Sequence, residues 1–123
     1  IRYLLIQIIK ATLMIKDTTY TLGDLIPSTP IHPGEIIKDE LEARGISQRK
    51  FASIIDCSYT VLNEMLNCKR AVTTDYALRI EAALNIKAYL LVNMQSEYNL
   101  QTARHDNHME KVLNKIRAAA AIF

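Results

Sequence analysis

Apolar positions along the chain cluster three and four residues apart and are broken at short intervals by Ser, Thr, Asn, Gly and Pro. That spacing predicts a series of short amphipathic helices. His32 can cap a first helix, with Pro33 at its first position and Glu35 at its third. Ile36, Ile37, Glu40 and Leu41 follow at helical spacing, until Gly45 after Arg44 supplies a left-handed stop. Ser47 caps a second helix, whose buried face is expected to be Phe51, Ala52, Ile54 and Ile55, ending near Asp56. Ser58 caps a third, carrying Val61, Leu62, Met65 and Leu66 and broken at residues 67–70. Thr73 caps a fourth that ends at Asn85. Asp75 lies in its positive first turn, and its apolar positions are Ala77, Leu78, Ile80, Ala83 and Leu84. A fifth is predicted over 88–103, with Leu90, Leu91, Met94, Tyr98 and Leu100, and a sixth over 107–122 that closes in a short Ala run.

Ahead of these helices the text is different. Residues 17–33 are rich in Thr, Ser, Gly and Pro, which predicts an irregular arm or linker. The opening apolar stretch is interrupted by Gln7 and Lys10 and is too short to span a bilayer. It carries no small-residue cleavage site of the signal-peptide kind. An ordinary protein start reads from Met14, so residues 1–13 are expected to be upstream sequence. The alternative is a genuine strand or amphipathic helix that pairs with a partner.

Half of the 123 residues are hydrophobic and there are three Gly and three Pro, which suits one helical domain with extensions. Cys57 and Cys68 form no disulfide framework, which points to a reducing, cytoplasmic setting. The formal net charge is only +2, so any nucleic-acid binding must rest on a local patch. Such a patch exists. From Arg49 to Arg70 the chain carries four cations (Arg49, Lys50, Lys69, Arg70) against two anions (Asp56, Glu64).

The same segment is built as two short helices joined by a tight turn, spanning 47–67. This geometry lays the first helix across a phosphate backbone and the second in a major groove. Ser47, Gln48 and Lys50 at the start of the first suit phosphate oxygens. The second exposes Ser58, Tyr59, Thr60, Asn63 and Glu64, and Lys69 and Arg70 follow as a basic loop.

Other chemistry is weakly represented. His105 and His108, and Cys57 and Cys68, do not make the four converging ligands of a zinc site, so no metal and no cofactor are expected. Cys57 reads as a small core hydrophobe. There is no Gly-rich phosphate loop or nucleophile elbow, and Glu35, Asp39, Glu40 and Glu42 read as a solvated helix face, so no enzyme is expected. The stripe Leu90, Leu91, Met94 and Tyr98 reads as core or as the seam of a homodimer.

Specific text sharpens this. The run Ile31-His32-Pro33-Gly34-Glu35-Ile36-Ile37, then Gly45-Ile46-Ser47-Gln48, then Leu66-Asn67-Cys68-Lys69-Arg70 and Ala77-Leu78-Arg79-Ile80 resembles the HigA antitoxin branch of the Xre/lambda-repressor-like family. So does the later pattern from Asn93 through Gln95 and Tyr98 to Leu100, closing at Ala103-Arg104. The resemblance covers residues 31–104. It implies an all-α, lambda-repressor-like five-helix DNA-binding domain there, with an irregular N-terminal arm over 1–30 and an extra C-terminal helix over 105–123. It also implies a homodimer on a palindromic double-stranded operator, a HigB/RelE-like mRNA-cleaving toxin as partner, and no catalysis. On this pattern Gln48 matches the phosphate-contacting Gln, and Ser58, Tyr59, Thr60 and Asn63 take the base-facing positions. Lys69 and Arg70 match the basic loop.

Three departures stand out. Asp56 and Cys68 occupy places where the family usually has Gly, and Asp56 and Asn67 are expected to absorb the left-handed backbone. Tyr59 and Glu64 stand where Arg is frequent, and Arg would bring the commonest guanine contact. The function expected is therefore an operon-repressing antitoxin. The alternatives are a stand-alone Xre-type repressor, or a helical scaffold that has lost DNA contact. Both the N-terminal arm and the last helix are candidates to cover a toxin.

Overall fold

The computed structural model describes residues 30–123, which form six helices and no strand. They are α1 (Pro33–Arg44), α2 (Gln48–Ile54), α3 (Tyr59–Leu66), α4 (Thr74–Leu84), α5 (Ala88–Arg104) and α6 (Asn107–Ala120). The expected arm and the opening apolar stretch lie outside the described residues, apart from its last few positions. Five helices begin on a side-chain cap: His32, Ser47, Ser58, Thr73 and Asp106 each accept a hydrogen bond from a backbone N–H of the first turn. Each cap satisfies a donor that would otherwise be left without a partner.

One core joins α1 to α5. Ile37, Leu41, Phe51, Ala52, Ile55, Leu62, Met65, Leu66, Val72, Ala77, Ile80, Leu84 and Leu91 are buried together. α1 lies against α3 so closely that Gly34 is required: a Cβ there would run into the carbonyl oxygen of Met65. Arg44 ties the ends of α1 and α4, donating to Glu40 at 2.6 Å and to the Leu84 carbonyl at 2.8 Å. Hydrogen-bonding groups therefore hold the frame as well as apolar packing.

Three apolar residues expected inside are on the surface. Ile54 is 55 % exposed, Leu78 54 % and Leu100 50 %. A helix turns about 100° per residue, which carries Ile54 and Leu78 roughly that far from the buried stripes of their helices. It carries Leu100 to the face of α5 opposite Leu91. α2 stops at Ile54 rather than Asp56, and α6 at Ala120 rather than Ile122. Left-handed backbone occurs at Asp56 (φ 56°), as expected, but the second such residue of the motif is Cys68 itself (φ 63°). Asn67 keeps φ −95°. With Asn67 closing α3 by donating its N–H to Asn63, the reversal falls on the next residue, where glycine was missing.

Leu91 is wholly buried in the chain's own core, which assigns it to packing rather than to a surface seam. Leu90, Met94 and Tyr98 remain partly exposed. α6 buries no residue, and Val112 and Ile116 stand open on it.

Candidate nucleic-acid interface

α2 and α3 are joined by a four-residue turn, and the start of α2 is linked to the first residue and to the middle of α3. Asn63 donates from Nδ2 to Gln48 Oε1 at 3.0 Å, and the Arg49 guanidinium lies over the Tyr59 ring, 4.3 Å from its centre. The turn between them is fastened from behind. Arg79 on α4 donates to the carbonyls of Ile55 (3.2 Å) and Asp56 (2.8 Å) while Asp75 holds its other edge. This explains how a non-glycine residue persists in the left-handed region at Asp56: three hydrogen-bonded groups over-determine the turn.

Ser47 and Ser58 are spent as caps, each Oγ accepting a backbone N–H at 3.1 Å, so each retains only its hydroxyl hydrogen for an outside acceptor. Gln48 uses its carbonyl oxygen on Asn63 and keeps its amide hydrogens, the part a phosphate would take. Asn63 is engaged twice, since its Oδ1 also accepts from Asn67 Nδ2 at 3.1 Å. Lys50, Thr60 and Lys69 are exposed. Arg70 is held by Glu64 at 2.9 Å, so the anion that stood out in the reading helix neutralises part of the basic loop.

Behind that loop, residues far apart in the chain converge. His32 is buried and accepts the Gly34 N–H on Nδ1 at 2.9 Å. Its other nitrogen then carries the hydrogen, and the Arg70 backbone is near enough to favour the charged ring. Tyr98 meets the same ring edge-on, with centroids 4.9 Å apart. Two residues on, the Val72 N–H donates to the buried Gln95 Oε1 at 2.9 Å, and Gln95 donates in turn to Asn99. The His-Pro-Gly-Glu opening and the Gln95/Tyr98 pattern are thus two sides of one clamp on the segment carrying Lys69 and Arg70. Desolvation holds the His32 imidazole below its ordinary pKa, against the opposing pull of the Arg70 backbone and Glu35.

A family described as helix-turn-helix matches residues 37–91, from within α1 to Leu91 of α5. Virulence-associated protein I of Dichelobacter nodosus is 33 % identical over 84 residues, which is 68 % of this chain and 78 % of that protein. Among solved structures, the antitoxin HigA of Pseudomonas aeruginosa with the higBA promoter is 35 % identical, at a TM-score of 0.61, covering 66 % of this chain and 89 % of that one. The chain belongs to the HigA-type branch of the Xre helix-turn-helix family. A further solved structure, of PA4674 from Pseudomonas aeruginosa in complex with its operator DNA, is 36 % identical at a TM-score of 0.59, covering 63 % of this chain and 84 % of that one. The described helices accordingly form the lambda-repressor-like domain, with α6 beyond it.

In this HigA-type chain what the sequence does not show is contact made through space: Arg49 over Tyr59, Glu64 on Arg70, and the His32–Gln95–Tyr98 clamp. Among the described residues no three His, Cys, Asp or Glu side chains gather as a metal site, and neither Cys57 nor Cys68 forms a disulfide. No helix among them is long and apolar enough to cross a membrane.

Proposed function

We propose that this chain is a DNA-binding antitoxin that represses its own operon and neutralises a HigB/RelE-like, mRNA-cleaving toxin. The observation that carries the reading is the coupled pair α2 and α3, with the start of α2 tied to the middle of α3 by Gln48–Asn63 and to its first residue by Arg49 over Tyr59, and flanked by exposed Lys50 and Lys69. Two helix N-termini side by side present positive ends and unspent donors to phosphate oxygens. Ser47, Gln48, Lys50, Lys69 and Arg70 take phosphates, and Ser58, Tyr59, Thr60 and Asn63 face the bases. The likeness to proteins bound to an operator or a promoter supports the same use here.

One reading helix covers a half-site, so operator specificity needs two copies one helical turn apart. The half-exposed edge Leu90, Met94 and Tyr98 of α5 is the seam in this reading, with Leu91 packing beneath it. The toxin binds outside the five-helix unit, on the N-terminal arm or on α6. The chain acts in the cytoplasm and by binding alone.

The test is titration of the full-length protein onto the DNA upstream of its own reading frame. Saturable binding that loses about one unit of salt slope with each of Lys69→Ala and Arg70→Ala supports the reading. Indifference to both substitutions removes the phosphate assignment. Co-expression with the neighbouring reading frame separates an antitoxin from a stand-alone repressor. An antitoxin restores growth and co-purifies with a small basic toxin, whereas a stand-alone repressor does neither.

A further inference from the structure

The reading helix lacks an arginine on its exposed face, yet the structure places one there from the neighbouring helix. Arg49 is the second residue of α2 and Tyr59 the first of α3, and the guanidinium rests 4.3 Å over the ring. In a helix-turn-helix docked on DNA, the N-terminal residues of the second helix meet the base edges. Tyr59 is at that end.

We propose that Arg49 is a base-reading residue, taking a guanine edge in the major groove, and that Tyr59 is the positioning residue that aims it. This rests on the DNA-binding reading above and adds to it a source of sequence specificity.

Three observations carry the proposal. Of the four cations in the motif, Arg70 is occupied by Glu64, and Lys50 and Lys69 are flexible ammonium groups. Arg49 is exposed and has no carboxylate partner among the described residues. It is therefore the motif's unclaimed planar fork, the shape that donates two parallel hydrogen bonds to guanine O6 and N7. Finally, stacking on the ring uses the face of the guanidinium and leaves its N–H edge to donate. Without the ring a long side chain would have to be ordered at the moment of binding. The Tyr59 ring does that ordering beforehand, and the Gln48–Asn63 bond fixes the start of α2 against α3.

The experiment is selection of the full-length protein against a library of randomised duplexes, with Arg49→Lys, Arg49→Ala, Tyr59→Phe and Tyr59→Leu run beside wild type. Wild type is expected to enrich a guanine at one symmetric position in each half-site. Arg49→Lys keeps the charge and the salt slope but weakens that one position, since an ammonium lacks the planar fork, and Arg49→Ala flattens it by about 10-fold or more, the discrimination of a good bidentate pair. Tyr59→Phe retains the preference, since the ring remains, and Tyr59→Leu weakens it part way at an unchanged salt slope. Binding by Arg49→Ala with the same base preference as wild type overturns the proposal while leaving DNA binding intact. So does a uniform loss across all sequences with a smaller salt slope in Arg49→Ala, which marks a phosphate contact. Failure of wild type to bind any duplex at low salt overturns the DNA-binding reading itself, and this proposal with it.

Discussion

Gly34→Ala isolates the packing that sets the reading helix against the rest of the fold. On local grounds alone the substitution should stabilise, because alanine is the better helix former by up to about 1 kcal/mol, less in a first turn. The structure reverses that sign. An added Cβ would clash with the Met65 carbonyl oxygen and sit 2.9 Å from its carbon, and both atoms belong to the backbone of α3. Ordinary Cβ contacts begin near 3.4 Å, so α1 and α3 must part by well over an ångström. A gap of about 1 Å forfeits up to about half of each dispersion contact across it, and Ile37, Leu62 and Met65 all lie in the affected core. Overpacking of this kind costs about 1–3 kcal/mol, occasionally more. After the helix-propensity gain, a net loss of about 2 kcal/mol is expected, or a fall in Tm on the order of 10 °C for a domain of this size. Urea and thermal unfolding followed by circular dichroism measure it. An unchanged or higher stability in Gly34→Ala would refute the close approach of α1 to α3.

Glu64→Gln is expected to release Arg70 and raise affinity for any duplex about 2- to 5-fold at low salt, the scale of an exposed ion pair, with the gain fading as salt increases. Equal affinities in anisotropy titrations at low salt would show that the pair does not restrain Arg70. The depressed pKa of His32 has a signed consequence. Its contribution to stability is complete above the free-imidazole value of 6.5 and is lost as pH falls through the lower, folded-state value, because the unfolded chain takes up the proton first. Between pH 7.5 and 5.5 wild type should therefore lose stability that His32→Asn, which keeps a capping oxygen, does not lose. Parallel profiles would contradict the buried neutral imidazole.

Much of the scaffold was readable because its signals are local. A cap and the N–H it accepts are two or three residues apart, so Ser47, Ser58 and Thr73 announce their helices without tertiary knowledge. The width of each buried stripe is not local, since it depends on which neighbour covers the helix. For that reason Ile54 and Leu78, one helical step from true core positions, were placed on the wrong side. The same limit applies at the site. Gln48, Lys50 and Lys69 could be proposed from type and position, but Glu64 on Arg70, Arg79 on the α2–α3 turn and His32 behind Arg70 are through-space pairings. His32 and Tyr98 lie 66 positions apart, in two separate runs that both carry the family resemblance. Only the fold shows that their rings touch and that the imidazole reaches the loop that follows the reading helix.

The most direct test of the central claim is hydroxyl-radical footprinting of the full-length protein on the DNA upstream of its own reading frame. Two protected half-sites related by a two-fold axis, with centres about 10 base pairs or a multiple of that apart, and lost together in the Lys69→Ala, Arg70→Ala double variant, are predicted. Protection without symmetry, or none above that on competitor DNA, would contradict a paired helix-turn-helix acting on an operator.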